Sequence, residues 1–288
     1  MKEQTANEFD NRPEMAWCPG CGNYAIRNLM LQVLGEMRLE RENLVFVSGI
    51  GQAAKAPQYY NVSYFNGLHG RALPAATGIK AANPRLTVVV ESGDGDMYGE
   101  GGNHFLHAIR RNPDLTVIVH NNMVYGLTKG QASPTTPLGT VTPAQVHGVA
   151  AAPLNPLALA ISLDASFVAR VSVHRPEVMK AIVRQAIEHR GFSLVDVFQS
   201  CVTFNKVNTL RWFTDNTSEV PPGHDPSDRQ AAFAMALRED PWPIGVLYRH
   251  HGRQTFEKGQ KMYHADDTPL FRRRIDDAAM RTLIGRYR

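Results

Sequence analysis

The chain has 288 residues, 43% hydrophobic and 20% charged, enough to bury a sizeable core as one large domain or one domain with appendages. The formal charge of +4 comes from scattered basic residues, the longest basic run being Arg272, Arg273 and Arg274, and without a basic stripe interleaved with aromatics nucleic acid is not an expected partner. No run reaches the about 18 uninterrupted apolar residues of a membrane span, and the polar start MKEQTANEFDNR lacks the apolar core of a signal peptide, so the expected location is cytoplasmic and off the membrane.

In chain order, the first signal is Cys18-Pro19-Gly20-Cys21, a loop whose spacing suits metal or redox chemistry more than a disulfide framework; the cysteine count of three is odd. Tyr24 to Leu39 carries Ile26, Leu29, Met30, Val33, Leu34 and Met37 at helical spacing. Leu44 to Val47 reads as a strand feeding the glycine loop Ser48-Gly49-Ile50-Gly51, and His69 to Ala82 as a helix led by His69-Gly70-Arg71. Leu86 to Val90 and Leu115 to Val119 are continuous β-branched runs of the kind buried on both faces of a parallel sheet. Between them, Gly102 to Arg111 fits a helix closed by Pro113, which makes a βαβ crossover. The alternation continues through Ser166 to Val173, a helix from Pro176 to Glu188 and a strand at Phe192 to Val197. Beyond Cys201 the signal thins to a short helix at Ala231 to Leu237 and a last strand at Ile244 to Tyr248. The expectation is an α/β fold, an open, mostly parallel sheet with helices on both faces. Residues 1–205 form its main domain, and residues 206–288 form an extension packing on that domain or on a partner, with a charged tail from Arg249 that docks on a partner or lies loose.

In such a sheet ligands sit outside the carboxyl ends of the strands. The loops holding Gly93-Asp94-Gly95-Asp96 and Asn121-Asn122 therefore face one crevice. A carboxylate, an amide oxygen and a nearby backbone carbonyl are hard oxygen ligands that suit Mg²⁺. Gly93 and Gly95 let the backbone approach a diphosphate, and the following helix N-terminus favours an anion.

Gly93-Asp94-Gly95, 25 residues and then Asn121-Asn122 resembles the thiamine-diphosphate signature. That resemblance makes Asp94 and Asn122 the side-chain ligands of Mg²⁺ and the carbonyl of Val124 its backbone ligand. Longer strings narrow the family: Trp17 to Gly22, Ser48 to Gly51, His69-Gly70-Arg71-Ala72-Leu73-Pro74, Gly93 to Asp96, Gly102-Asn103-His104, Asn121-Asn122 with Tyr125-Gly126-Leu127-Thr128, and Ser133-Pro134-Thr135. In order and spacing they resemble the beta subunits of 2-oxoacid:ferredoxin oxidoreductases, from about residue 12 to 206. The resemblance implies a thiamine-diphosphate-binding fold and a cofactor site of Ile50, Gly51, His69, Gly93, Asp94, Gly95, Asp96, Asn122, Gly126, Leu127 and Thr128.

The same resemblance implies an iron-sulfur cluster on Cys18, Cys21 and Cys201. The family has a further cysteine directly after the glycine loop, where this sequence has Gln52 and no spare cysteine elsewhere. A [4Fe-4S] cluster on three cysteines with a non-cysteine fourth ligand is the expectation, with a [3Fe-4S] cluster as another form.

The implied reaction is coenzyme A-dependent oxidative decarboxylation of a 2-oxoacid on thiamine, with electrons passing one at a time through the cluster to ferredoxin; run in reverse it fixes CO₂ by reductive carboxylation. One doubly wound domain leaves no room for the pyrimidine-binding half of such an enzyme, so an alpha subunit is expected, in an α₂β₂ heterotetramer. Lys55 and Lys129, in loops beside the expected thiazolium, offer cations for a second carboxylate, which favours 2-oxoglutarate over pyruvate. The rival readings are a non-redox thiamine-dependent decarboxylase or synthase without the cluster, and a zinc-stabilised binding module.

Overall fold

The β-branched runs become the centre of one eight-stranded sheet. The computed structural model describes residues 6–11, 13–274 and 276–287. Its strands are β1 (Leu44–Ser48), β2 (Ser63–Asn66), β3 (Thr87–Gly93), β4 (Leu115–Asn121), β5 (Phe167–Ser172), β6 (Phe192–Phe198), β7 (Thr217–Glu219) and β8 (Trp242–Arg249). They lie in the order β2-β1-β3-β4-β6-β5-β8-β7, and every pairing is parallel except β5 with β8. Strands β4, β5 and β6 are buried at every position, as expected where helices cover both faces.

Side-chain alternation divides the core in two. Val88, Val90, Val117 and Val119 pack with α2 (Ala72–Ala82), α3 (Gly102–Arg111), α4 (Pro156–Ser162) and α7 (Arg229–Ala236). On the other face, Val89, Ile118, Val195 and Val197 pack with α1 (Gly22–Met37) and α5 (Pro176–Glu188). The expected α/β architecture is the one observed.

Three local differences have physical causes. The helix expected from His69 starts at Ala72, because Gly70 takes φ +64 in a tight approach to the Glu100 carbonyl, where a Cβ would stand 2.3 Å from the carbonyl carbon. Strand β2 gave no apolar signal because it is an edge strand whose four residues are all exposed. The chain after Arg249 docks on its own domain as far as Asp267, which pairs with Arg85 at 2.7 Å, where the tail had been expected on a partner or loose. The His250 N–H donates to the Ser166 carbonyl at 2.8 Å, Phe256 to Asn112 at 3.0 Å, and the Tyr263 hydroxyl to the Ala81 carbonyl at 2.6 Å. Downstream of residue 205, α6 (Leu210–Asp215), β7, α7 and β8 extend the sheet and its flanks, whereas α8 (Asp277–Gly285) buries none of its residues. No described helix is long and apolar enough to cross a membrane.

Candidate active site

Parallel strands put their carboxyl ends on one edge, so the loops after β1, β3, β4 and β6 open together. Because β3, β4 and β6 are consecutive neighbours, Asp94, Asn122 and Cys201, far apart in sequence, arrive side by side. The edge carries a cavity of ≈ 320 Å³, the size of a small-molecule site. From β3 come Gly93, Asp94, Gly95 and Asp96; from β4 come Asn122, Val124, Gly126, Leu127 and Thr128. Ile50, Gly51 and His69 close the remaining wall. All the cofactor residues named from sequence thus meet at one cavity. Lys55 and Lys129 do not line it: Lys55 is half-buried behind Gln52 and Ala53, and Lys129 is exposed at the turn after Thr128, with φ 73.

Asp94 is 1% exposed. Its Oδ2 accepts the Ser133 hydroxyl at 2.5 Å and the Thr135 hydroxyl at 2.7 Å. Burial pushes its carboxyl up to about 6, against the pull of those two hydroxyls. Asp96 ties loops together: Oδ1 accepts the amides of Ile50 at 3.1 Å and Gly70 at 2.8 Å, and Oδ2 the Ser92 hydroxyl at 2.8 Å. The fit is tight, since a Cβ on Gly49 would lie 2.0 Å from an Asp96 carboxylate oxygen. Its carboxyl is raised by burial, again against these donors. Asn122 Oδ1 accepts the Val124 amide at 3.0 Å, a turn made possible by Met123 at φ 57.

Other residues in and around the cavity had been assigned no role from sequence. His120 is fully buried, with Nδ1 2.9 Å from Asn23 Oδ1 and Nε2 2.8 Å from Glu91 Oε1; it lies one residue past the expected strand end at Val119. Tyr125 and Glu100 meet at 3.4 Å over Gly95 and Gly99, where a Cβ would strike the tyrosine at 2.3 and 2.5 Å. Ser133 and Thr135 stood in a recognised string without a role.

A second, narrower pocket adjoins the first. It is lined by Cys18, Cys21, Cys201, Trp17 and Gln52, and it shares Gln52, Asn122 and Gly126 with the larger cavity. Cys21 is the N-cap of α1, where the helix dipole favours a thiolate. Burial nevertheless raises its thiol; the Asn23 backbone opposes this, and the nearby Cys201 and Cys18 push it further up. All three cysteines are free of disulfides. The cysteine loop is pinned by Trp17, which packs edge-on against Tyr24 and Tyr59 at 5.3 and 4.8 Å and donates its indole N–H to the Gln52 carbonyl at 2.8 Å.

Two implied groups can be tested against these residues. For Mg²⁺, Asp94, the Asn122 amide oxygen and the Val124 carbonyl belong to residues lining one cavity and supply the oxygen set that a hard cation prefers. Among the described residues no three His, Cys, Asp or Glu side chains stand close enough to hold a single metal ion. The magnesium set implied by the sequence contains only one such side chain, Asp94.

Comparison with known proteins agrees with the fold and the cavity. Residues 47–197 match the thiamine pyrophosphate enzyme C-terminal TPP-binding domain, and residues 201–265 match the C-terminal part of the pyruvate ferredoxin oxidoreductase beta subunit. The sheet is therefore that of a thiamine-pyrophosphate-binding domain. Subunit beta of 2-oxoacid:ferredoxin oxidoreductase 2 from Aeropyrum pernix is 38% identical over 263 residues, covering 87% of this chain and 85% of that one. The 2-oxoglutarate oxidoreductase subunit KorB of Mycobacterium tuberculosis is 44% identical over 202 residues, 70% of this chain and 54% of its own. The solved 2-oxoglutarate:ferredoxin oxidoreductase of Magnetococcus marinus, with 2-oxoglutarate, coenzyme A and succinyl-CoA bound, superposes with a TM-score of 0.91 at 32% identity over 99% of this chain and 97% of its own. The chain belongs to the beta subunits of the 2-oxoacid:ferredoxin oxidoreductases.

Proposed function

We propose that the chain is the thiamine-diphosphate-binding subunit of a 2-oxoglutarate:ferredoxin oxidoreductase, working with an alpha subunit in an α₂β₂ assembly, cytoplasmic, with coenzyme A as acyl acceptor and ferredoxin as electron partner. The observation that carries this reading is the shared wall: the diphosphate cavity and the three-cysteine pocket have Gln52, Asn122 and Gly126 in common. Thiamine diphosphate supplies the electron sink for decarboxylation. Asp94, Asn122 and Val124 hold its Mg²⁺, Gly93 and Gly95 admit the diphosphate to the backbone, and Asp96 keeps the Ile50 and Gly70 amides in place beside it. Cys18, Cys21 and Cys201 hold the iron-sulfur cluster across the shared wall. Lys55 and Lys129, at the margins of the cavity, favour a substrate with a second carboxylate. Relatives and the superposed structure whose names specify 2-oxoglutarate support that substrate over pyruvate. The cycle also runs as reductive carboxylation when low-potential ferredoxin drives it, the sense in which it would serve CO₂ fixation in a reductive tricarboxylic acid cycle.

The test is anaerobic co-expression with the alpha subunit, followed by ferredoxin reduction with 2-oxoglutarate or pyruvate, with and without coenzyme A. Reduction that needs coenzyme A and prefers 2-oxoglutarate is the expected result. A preference for pyruvate would reassign the substrate, and CO₂ release without ferredoxin reduction would make the protein a non-redox decarboxylase.

A further inference from the structure

Gln52 sits on the wall between the two cavities, and its chemistry is unfinished. Its carbonyl oxygen is taken by the Trp17 indole at 2.8 Å, but its side-chain Oε1 is buried with no hydrogen-bond partner. An unpaired buried amide oxygen is costly to leave unmet, so a group that satisfies it is expected. The other side-chain oxygens of the cysteine pocket are occupied or outside its buried part. Asn23 Oδ1 accepts from Gln199 at 2.7 Å and lies 2.9 Å from the His120 ring, Asn122 Oδ1 accepts from Val124, and Thr203 is exposed. Among the described residues, Gln52 Oε1 is the one orphaned buried polar atom belonging to a residue that lines the pocket of the three cysteines.

We propose that Gln52 Oε1 is the fourth protein ligand of the iron-sulfur cluster, donating a lone pair to the one iron that Cys18, Cys21 and Cys201 do not reach. The inference rests on the reading of this chain as a cluster-bearing subunit. Its consequence is electronic. A neutral amide oxygen in place of a thiolate removes one negative charge from the ligand set, and net charge is one of the determinants of cluster potential. Oxygen is also a harder and weaker partner for iron than sulfur. A cluster held this way would have a higher midpoint potential than an all-cysteine version, with the iron held by Gln52 its most exchangeable.

The test uses the anaerobically co-expressed complex as wild type, Gln52→Ala and Gln52→Cys, with iron, sulfide and thiamine diphosphate contents, EPR spectra and redox titrations for each. Expected are about four irons and four sulfides per chain in the wild type, a lower midpoint potential in Gln52→Cys, and in Gln52→Ala a cluster that loses one iron on mild oxidation or shifts its spectrum when cyanide is added. Wild-type spectra and potentials in both variants would overturn the proposal, as would a wild-type complex that binds thiamine diphosphate but no iron. Thiamine diphosphate content separates this outcome from misfolding. If the cluster behaves as expected but no 2-oxoacid reduces it, the functional reading fails while the ligand assignment stands.

Discussion

The diphosphate cavity and the cysteine pocket share three residues, yet they hold their shapes by different means. In the first, the polar groups answer one another: Asp94 takes two hydroxyls, Asp96 two amides and a hydroxyl, and Asn122 an amide. Its wall is organised by protein hydrogen bonds alone, which is how a site holds a charged cofactor without rearranging. The second is held from behind, by the Trp17 indole and its two aromatic neighbours, and leaves the Gln52 amide oxygen to be satisfied from outside the chain. A pre-organised polar site and an unfinished one, joined by a wall of three shared residues, respond differently to substitution.

The strongest way to break the comparison is Asp94→Asn. Removing the one carboxylate of the magnesium set costs several kcal/mol of charge stabilisation, so cofactor-dependent activity of the complex falls roughly 10²–10³-fold. Cluster content and melting temperature stay close to wild type; iron loss in step with activity would show that the two sites are one unit. Next in size is the double substitution Ser133→Ala with Thr135→Ala. Losing both hydroxyl donors raises the Asp94 carboxyl further and weakens Mg²⁺-dependent cofactor binding by about 10–100-fold, the usual range for groups that orient a metal ligand, measured by calorimetric titration.

Acidity tests the same carboxyl without mutation. Burial holds it at about 6, above the usual carboxylate range, so between that range and about 6 the folded metal-free chain holds a proton that the unfolded chain releases. The metal-free chain is therefore stabilised by this group as pH falls from about 6. Mg²⁺ must displace that proton, and its affinity drops about tenfold per pH unit below this value. A pH-independent magnesium affinity would remove Asp94 from the ligand set. In the other pocket, Trp17→Phe deletes one hydrogen bond, worth about 1 kcal/mol, and lowers iron content while thiamine diphosphate binding is retained. Smallest is Lys129→Ala, which raises the KM for 2-oxoglutarate more than that for pyruvate; equal effects would dismiss Lys129 as a specificity residue.

How legible each part was follows from the same physics. Strands β3 and β4 and helix α3 could be read directly, because burial on both faces demands unbroken β-branched runs and the crossover leaves glycine and proline at its ends. Strand β2 could not, because nothing about a four-residue exposed edge strand constrains its side chains. The cavity was legible through Gly93, Asp94 and Asn122, whose spacing reports a local turn chemistry. The contact between Trp17 and Gln52 was not, although Gln52 stood out as replacing a family cysteine, since the bond exists only once two loops 35 residues apart are brought together. His120 shows the limit from the other side: in a fully buried strand, a histidine that binds Asn23 and Glu91 and one that merely packs look the same in sequence.

The bonds that shape the crevice also bear on how the chain folds. Ile50 to Asp96 spans 46 residues, Ser133 to Asp94 spans 39, and Asn205 to Asn122 spans 83. Loop closure must precede each of them, so the crevice consolidates late, after the βαβ units have docked. A ligand that binds only the finished crevice stabilises the native state by mass action. On the proposed function, thiamine diphosphate supplied during synthesis raises the yield of folded subunit, before any catalysis begins.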